Sequence, residues 1–244
     1  MGLVAIITGF LAGFLSSYFA QWPPSPKTVW NQYRSRRLRE RKCYSLPAGK
    51  IFLIPSSSST EESVYVSQNA MAGVHAVTQM LRHCGRHDDA DFEIVFQYPD
   101  LDGVPENIRT ENLILVCGPV RNKLVDSILE EFPELLTSIR FEAAPEPSFI
   151  FKGIRYNYQK GRDWALVAVK RNPYNPRRRV VLLFGLRSIG TKGAGAFYSQ
   201  PGWAEARAKA AERLETHHGE LEVLLRVDHL ADFRTLKTIN PVFG

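Results

Sequence analysis

Cysteine is scarce in this chain: among 244 residues there are three, Cys43, Cys84 and Cys117. They are scattered and odd in number, which excludes a disulfide framework and suits a reducing compartment. Metal-ligand spacing is also missing. His83-Cys84-Gly85-Arg86-His87-Asp88-Asp89 gathers ligand types, but Gly85 is expected to break a helix there. No second ligand pair at standard zinc spacing stands elsewhere, so no metal and no cofactor is expected. There is no Walker sequence, no dinucleotide fingerprint and no internal repeat. Gly2 lacks the downstream Ser or Thr of a myristoylation signal.

Charge is absent from Leu3 to Ala20, LVAIITGFLAGFLSSYFA. No Lys or Arg precedes that apolar run, which argues against a cleaved signal peptide. No Asp, Glu, Lys, Arg or His interrupts it, which argues against a proton relay or a one-chain transporter. Eighteen helical residues rise about 27 Å, close to the hydrocarbon thickness of a bilayer. Residues 1–22 are therefore expected to form a transmembrane helix closed by Gln21 and Trp22. Gly9, Gly13 and Ser17 recur every four residues, a small-residue stripe suited to self-association into a homo-oligomer.

Positive charge is confined to the next segment. Lys27, Arg34, Arg36, Arg37, Arg39, Arg41 and Lys42 face one acid, Glu40, for a net charge of +6. The whole chain is also +6, so everything from Cys43 onward sums to zero. A basic cluster after the span places the C-terminal side in the cytoplasm. Residues 23–45 read as a proline-rich linker, Pro23-Pro24-Ser25-Pro26, and a basic juxtamembrane helix. Trp22, Trp30, Tyr33, Arg34, Arg36, Arg37, Arg39 and Arg41 are the candidate membrane-surface residues, meeting headgroups and phosphates of the lipid. Such a run also suits nucleic acid; its place beside the membrane favours lipid.

Residues 46–244 read as one α/β domain. Lys50–Pro55, Phe92–Tyr98, Leu113–Cys117, Ile139–Glu142, Phe149–Arg155, Trp164–Lys170, Val180–Leu186 and Glu220–Val227 are expected strands. Helices are expected over 67–83, with Ala70, Val74, Val77 and Leu81 on one face, over 123–132, and from the 187–193 segment to about His217. The alternation implies a mostly parallel sheet with an inserted hairpin turning at 159–162. Arg171–Arg179 reads as a proline-bearing basic loop.

Ligands of parallel sheets bind beyond the carboxyl ends of the strands. Three loops are expected there: Ser56-Ser57-Ser58-Ser59-Thr60, Gly118-Pro119-Val120-Arg121-Asn122 and Arg187-Ser188-Ile189-Gly190-Thr191-Lys192-Gly193. Glycines permit close backbone approach, helix N–H groups favour anions, and Arg187 with Lys192 suits phosphate. Tight turns alone would use the same glycines. Tyr174 within the basic loop suits stacking on a base. For an enzyme, Ser56–Ser59 with His217, His218 or His229 supplies nucleophile and base types, and Asp100 with Asp102 suits hydrolysis, but spacing fixes no geometry among them.

The sequence of ILVCGPVRN, a Trp164–Lys170 strand entering RNPYNP, then LLFGLRSIGTKGAGAF resembles membrane-attached Rossmann-like sensor domains of the SLOG and CARF type, from prokaryotic antiviral defence. The likeness covers roughly residues 50–228 in strand order and loop character; the SLOG glycine run is denser than Gly190-Thr191-Lys192-Gly193. It implies a bacterial inner-membrane effector with its domain in the cytoplasm. Ser56–Ser59, Gly118, Asn122, Arg187, Gly190 and Thr191 would line a pocket for a nucleotide or short oligonucleotide made by a partner enzyme. Ligand would control oligomerisation of the membrane helix, as a membrane-disrupting pore or ion channel. The alternatives are a membrane-tethered nucleotide hydrolase or glycosidase, and an adaptor that binds only protein.

Overall fold

The computed structural model describes residues 29–35, 44, 46–55, 58–60, 63–65, 68–83, 86, 91–95, 104–214, 220–230 and 235–243. The chain divides into two units, Met1–Leu38 and Arg39–Gly244. In the first, residues 29–35 are helical, within the expected basic helix. Trp30 and Tyr33 lie one turn apart with ring centroids at 6.1 Å, and both are exposed, at 61% and 47%. The expected transmembrane helix of residues 1–22, with Gly9, Gly13, Ser17 and Trp22, lies outside the described residues, as do Arg36, Arg37, Arg39 and Arg41. No helix among the described residues is long and apolar enough to cross a membrane.

In the second unit, seven strands form one sheet in the order β12-β11-β9-β10-β5-β1-β4. β1 (Ile51–Pro55), β4 (Phe92–Ile94), β5 (Asn112–Val116) and β10 (Asn175–Gly185) run parallel, with β1 between β4 and β5 and β10 beyond β5. β9 (Arg162–Asn172), β11 (Leu221–His229) and β12 (Leu236–Pro241) complete the sheet in antiparallel pairings. A small antiparallel sheet joins β6 (Ile139–Glu142), β7 (Ser148–Phe151) and β8 (Ile154–Asn157). β2 (Ser58–Thr60) and β3 (Ser63–Tyr65) form a short hairpin after β1.

Alternation along the strands divides the core between the two faces of the sheet. Ile51, Leu53, Ile114, Val116, Val167, Val181 and Leu183 pack against helices α1 (Gln68–His83), α4 (Ser188–Ser199) and α5 (Ala204–Leu214). Phe52, Ile54, Leu113, Leu115, Leu166, Leu182 and Phe184 pack against α3 (Lys123–Glu131) and the small sheet, with α2 (Glu106–Arg109) alongside. The expected face of α1 is the buried one: Ala70, Val74, Val77 and Leu81 are at most 3% exposed. Removing each such Val or Leu from water stabilises the fold by about 1.5–3 kcal/mol.

The structure is α/β, with a mixed sheet in which the parallel half is matched by an antiparallel half. The expected basic loop 171–179 is largely strand, because β9 and β10 form a long hairpin whose tip is Pro173-Tyr174. Asn172 Nδ2 donates to the carbonyls of Arg109 and Glu111 at 2.6 and 2.7 Å, and its Oδ1 accepts from Tyr174 N at 3.0 Å. The expected single strand 149–155 is two strands. They turn at Lys152-Gly153, where both residues have positive φ, 52° and 77°, as a tight two-residue hairpin requires. Residues 159–162 form the expected turn, Gln159 and Arg162 exchanging backbone hydrogen bonds at 3.0 and 2.8 Å, but it joins β8 and β9 of different sheets, and β12 follows the strand expected to be last. Of the expected strand 92–98, residues 92–94 are β4, and 96–100 lie outside the described residues.

Candidate functional site at the carboxyl edge of the sheet

β1, β5 and β10 all end on the same edge, at Pro55, Val116 and Gly185. From there the chain leaves β1 for α1 on one face and β5 for α3 on the other. Adjacent parallel strands whose connections diverge leave a crevice between them, the usual ligand position of open α/β sheets. Of the loop that follows β1, Ser56 and Ser57 lie outside the described residues. Ser58 begins the β2–β3 hairpin. Beyond β5, Cys117 takes a positive φ of 81°, and Gly118 passes so close to Phe184 that a Cβ would stand 2.7 Å from its ring.

Asn122 fastens this corner. Its Nδ2 donates to Ile54 O at 3.2 Å and Val116 O at 3.1 Å, and its Oδ1 accepts from Val125 N at 3.4 Å. It thus ties β1 to β5 and caps α3 while 4% exposed. The N–H groups of Arg121 and Asn122 donate to Gly118 O at 2.9 and 2.8 Å, so the loop's own carbonyl consumes them. Arg121 and Val120 are the exposed residues of this turn. Arg121 was not singled out from sequence; its only signal there was a cation between two expected elements.

The segment expected as a phosphate loop is the first half of α4. Gly190 is buried in it, where a Cβ would meet Asp163 Oδ2 at 2.6 Å and Gly185 Cα at 2.9 Å. Gly193 faces Val227 in the same way, at 2.7 Å. These glycines seat the helix on the sheet. Thr191 is also buried, and its hydroxyl accepts from Gly185 N at 3.1 Å. Lys192 is half-buried and Arg187, at the N-cap, is exposed.

Asp163, which belongs to none of the three expected loops, holds the place an anion would take at this helix. Its Oδ2 accepts from Gly190 N at 2.7 Å and Arg187 N at 3.1 Å, and its Oδ1 from Trp164 N at 2.8 Å. Complete burial pushes its carboxyl up to about 7, against the pull of those three N–H groups and the Arg187 charge. A lone Asp opening the apolar run WALVAV was the available signal. Beside it, the Arg187 guanidinium lies 5.5 Å over the Tyr158 ring, which stacks on His229 at 6.3 Å.

Tyr174 is not part of this edge. It sits at the far end of β9 and β10, its hydroxyl donating to Glu131 Oε2 at 2.7 Å and its ring edge-on to Phe132. The neighbouring arginines are likewise engaged within the fold: Arg178 pairs with Glu111 at 2.8 Å and donates to Ala48 O at 2.6 Å. A stacking and phosphate-binding role for this tip would have to break those contacts. Among the other enzyme candidates, His217, His218, Asp100 and Asp102 lie outside the described residues, and His229 is 2% exposed. No group of metal-ligand side chains occurs among the described residues.

A concavity of about 580 Å³ lies between α3 and the small sheet. Leu129, Leu136, Phe141 and Ile150 form its apolar lining, with Asp126, Glu130, Arg140 and Lys152 among the polar groups. The structure thus brings Gly118, Asn122, Arg187, Gly190, Thr191 and Lys192 to one edge and leaves Tyr174 at the other. No family model matches the chain, and no curated protein or solved structure matches it either.

Proposed function

We propose that this protein is a membrane-anchored sensor whose α/β domain binds an anionic, nucleotide-like ligand at the carboxyl edge of its sheet. The observation that carries the reading is the divergence of the chain at the ends of β1 and β5, the position at which open α/β sheets take ligands, with Arg121 and Arg187 exposed in the segments that follow β5 and β10. With Asp163 and Asn122 occupying the N-termini of α4 and α3, recognition falls to side chains at the rim, the two arginines above all, and to the Ser56–Ser59 segment. Charge-assisted bonds from guanidinium suit phosphate oxygens. Anchoring is supported by the uncharged run Leu3–Ala20 and the +6 cluster behind it, and the stripe of Gly9, Gly13 and Ser17 suits association of protomers. A ligand that prefers one assembly state then shifts the membrane helices toward it, and the resemblance to defence effectors makes disruption of the bacterial inner membrane the output.

Calorimetry of the detergent-solubilised full chain with a panel of nucleotides and cyclic oligonucleotides tests this. One or more members should bind the wild type, and Arg121→Ala with Arg187→Ala should weaken that binding at least about tenfold, the loss of one to two charge-assisted bonds. Binding unaffected by both substitutions places the site elsewhere, and turnover of a panel member would favour the tethered enzyme.

A further inference from the structure

We infer that helix α4 is a rigid strut coupling the carboxyl edge of the sheet to Tyr44, the first described residue of the second unit. Its role in signalling rests on the ligand site proposed above; the coupling itself does not. Twelve residues, Ser188–Ser199, span about 17 Å at the helical rise.

At the edge end, the strut is held by short polar contacts. Asn69 Nδ2 donates to Ser188 Oγ at 3.0 Å, Asp163 caps the first turn, and Thr191 accepts from Gly185 N. Along its length, ten of the twelve residues are buried, and α1 crosses so closely that a Cβ on Gly195 would stand 2.6 Å from Gly73 Cα. Such packing leaves little room for the helix to bend or to absorb a shift locally.

At the far end, Tyr198 Oη donates to Tyr44 O at 3.1 Å, and the Tyr44 ring lies 6.5 Å from Phe197 and 5.9 Å from Tyr198. Arg207 closes the other side. Its guanidinium sits 5.9 Å over Tyr44 and donates through Nη1 to Phe197 O and Gln200 O, both at 2.8 Å. Tyr44 is 8% exposed and stands two residues after Lys42, the last of the basic cluster. A displacement imposed at Ser188–Thr191 therefore reaches the aromatic clamp on Tyr44 through one packed element.

Native-state proteolysis and hydrogen exchange of the full chain in detergent, without ligand, test the coupling. Thr191→Val loosens the edge end and should raise tryptic cleavage after Arg41 and Lys42 at least about fivefold, the lower bound of ordinary coupling. Ile128→Ala, in α3 on the opposite face, lowers global stability at least as much and should leave that cleavage within about twofold. Reciprocity demands the converse: Tyr44→Ala should speed exchange at the Gly190 and Thr191 amides at least about fivefold. Unchanged cleavage in Thr191→Val, an equal rise in Ile128→Ala, or unchanged exchange in Tyr44→Ala would each overturn the strut. A nucleotide panel that finds no binder would instead sink the ligand reading and leave these results standing.

Discussion

Asp163 is a carboxylate enclosed by three backbone N–H groups at a helix N-terminus, and burial pushes its titration up to about 7 from 3.8. The sign of the consequence follows from proton counting. Below 3.8 folded and unfolded chains both hold the proton; between 3.8 and 7 only the folded chain keeps it. The stability that Asp163 contributes is thus full in acid and falls as pH rises to about 7, by on the order of 4 kcal/mol at about 1.4 kcal/mol per pH unit. Asp163→Asn cannot titrate, and its amide turns at least one donor against a backbone N–H, at a cost of about 1–3 kcal/mol. Denaturant unfolding at a series of pH values should show the advantage of wild type over Asp163→Asn shrinking from pH 4 to pH 8. A constant or growing advantage would mean that Asp163 stays ionised throughout. A lone acid before an apolar strand announces burial in the sequence; its three N–H partners come from 24 to 27 residues away and one position on, a juxtaposition only the fold supplies.

The buried pair Lys170 and Glu222 makes the same point on the opposite face. The ammonium lies 2.5 Å from Glu222, whose carboxylate also accepts from the N–H groups of Thr137, Ser138 and Ile139. Burial alone would raise Glu222, but Lys170 and these donors hold it below the usual carboxylate range. Its contribution is therefore present above the ordinary carboxylate titration and lost as pH falls through its lowered one. Lys170→Met leaves that carboxylate buried without its cation, and unfolding free energy at pH 7 should drop by about 3–5 kcal/mol. The Lys170→Met, Glu222→Leu double variant should recover most of this; no recovery would show that the anchoring of 137–139, rather than charge pairing, is what Glu222 supplies.

Among the elements, the most instructive is α4. The sequence Gly190-Thr191-Lys192-Gly193-Ala194-Gly195-Ala196 reads as a flexible anion loop or as a tightly packed helix, because both need residues without bulk. Strand spacing could not separate them; what separates them is that Gly190 abuts Asp163 and Gly185, Gly193 abuts Val227 and Gly195 abuts Gly73. By contrast, α1 and β5 were legible to within one residue at their ends, α1 from the helical period of its apolar residues and β5 from a continuous apolar run stopped by Gly118-Pro119. The β9–β10 hairpin was hidden by Pro173, Pro176 and four arginines, which locally mimic a loop, while the asparagine bonds that extend the strands join residues some 60 positions apart. If α4 is packing, Gly190→Ala in the purified domain should destabilise by about 1–3 kcal/mol, the usual cost of overfilling a core, with a fall in midpoint by denaturant titration. A loop able to open for phosphate would tolerate the methyl group, and an unchanged midpoint would restore that reading.

For the whole molecule, the distribution of charge bears on the proposed membrane partner. The segment 27–42 carries +6 and the remainder sums to zero, and in the domain the arginines beside the basic tip are drawn into ion pairs with Glu111 and Glu220. Attraction to an anionic surface must then come from the segment, which presents Trp30, Tyr33 and Arg34 on its helical turn with the two rings exposed. Flotation with vesicles of phosphatidylcholine alone, or containing phosphatidylglycerol, separates the contributions. A chain spanning 23–244 lacks the apolar run, and its binding should require phosphatidylglycerol and fall at least about tenfold between 0.1 and 0.5 M salt, as screening shortens the reach of each charge. Residues 43–244 should not float in either case. The full chain reconstituted into the same vesicles should resist salt extraction altogether, because about 18 apolar residues hold it independently of charge. Salt-extractable full-length protein would reduce residues 1–22 to a surface segment and remove the pore from the proposed function, while flotation of 43–244 would move the membrane contact into the folded domain.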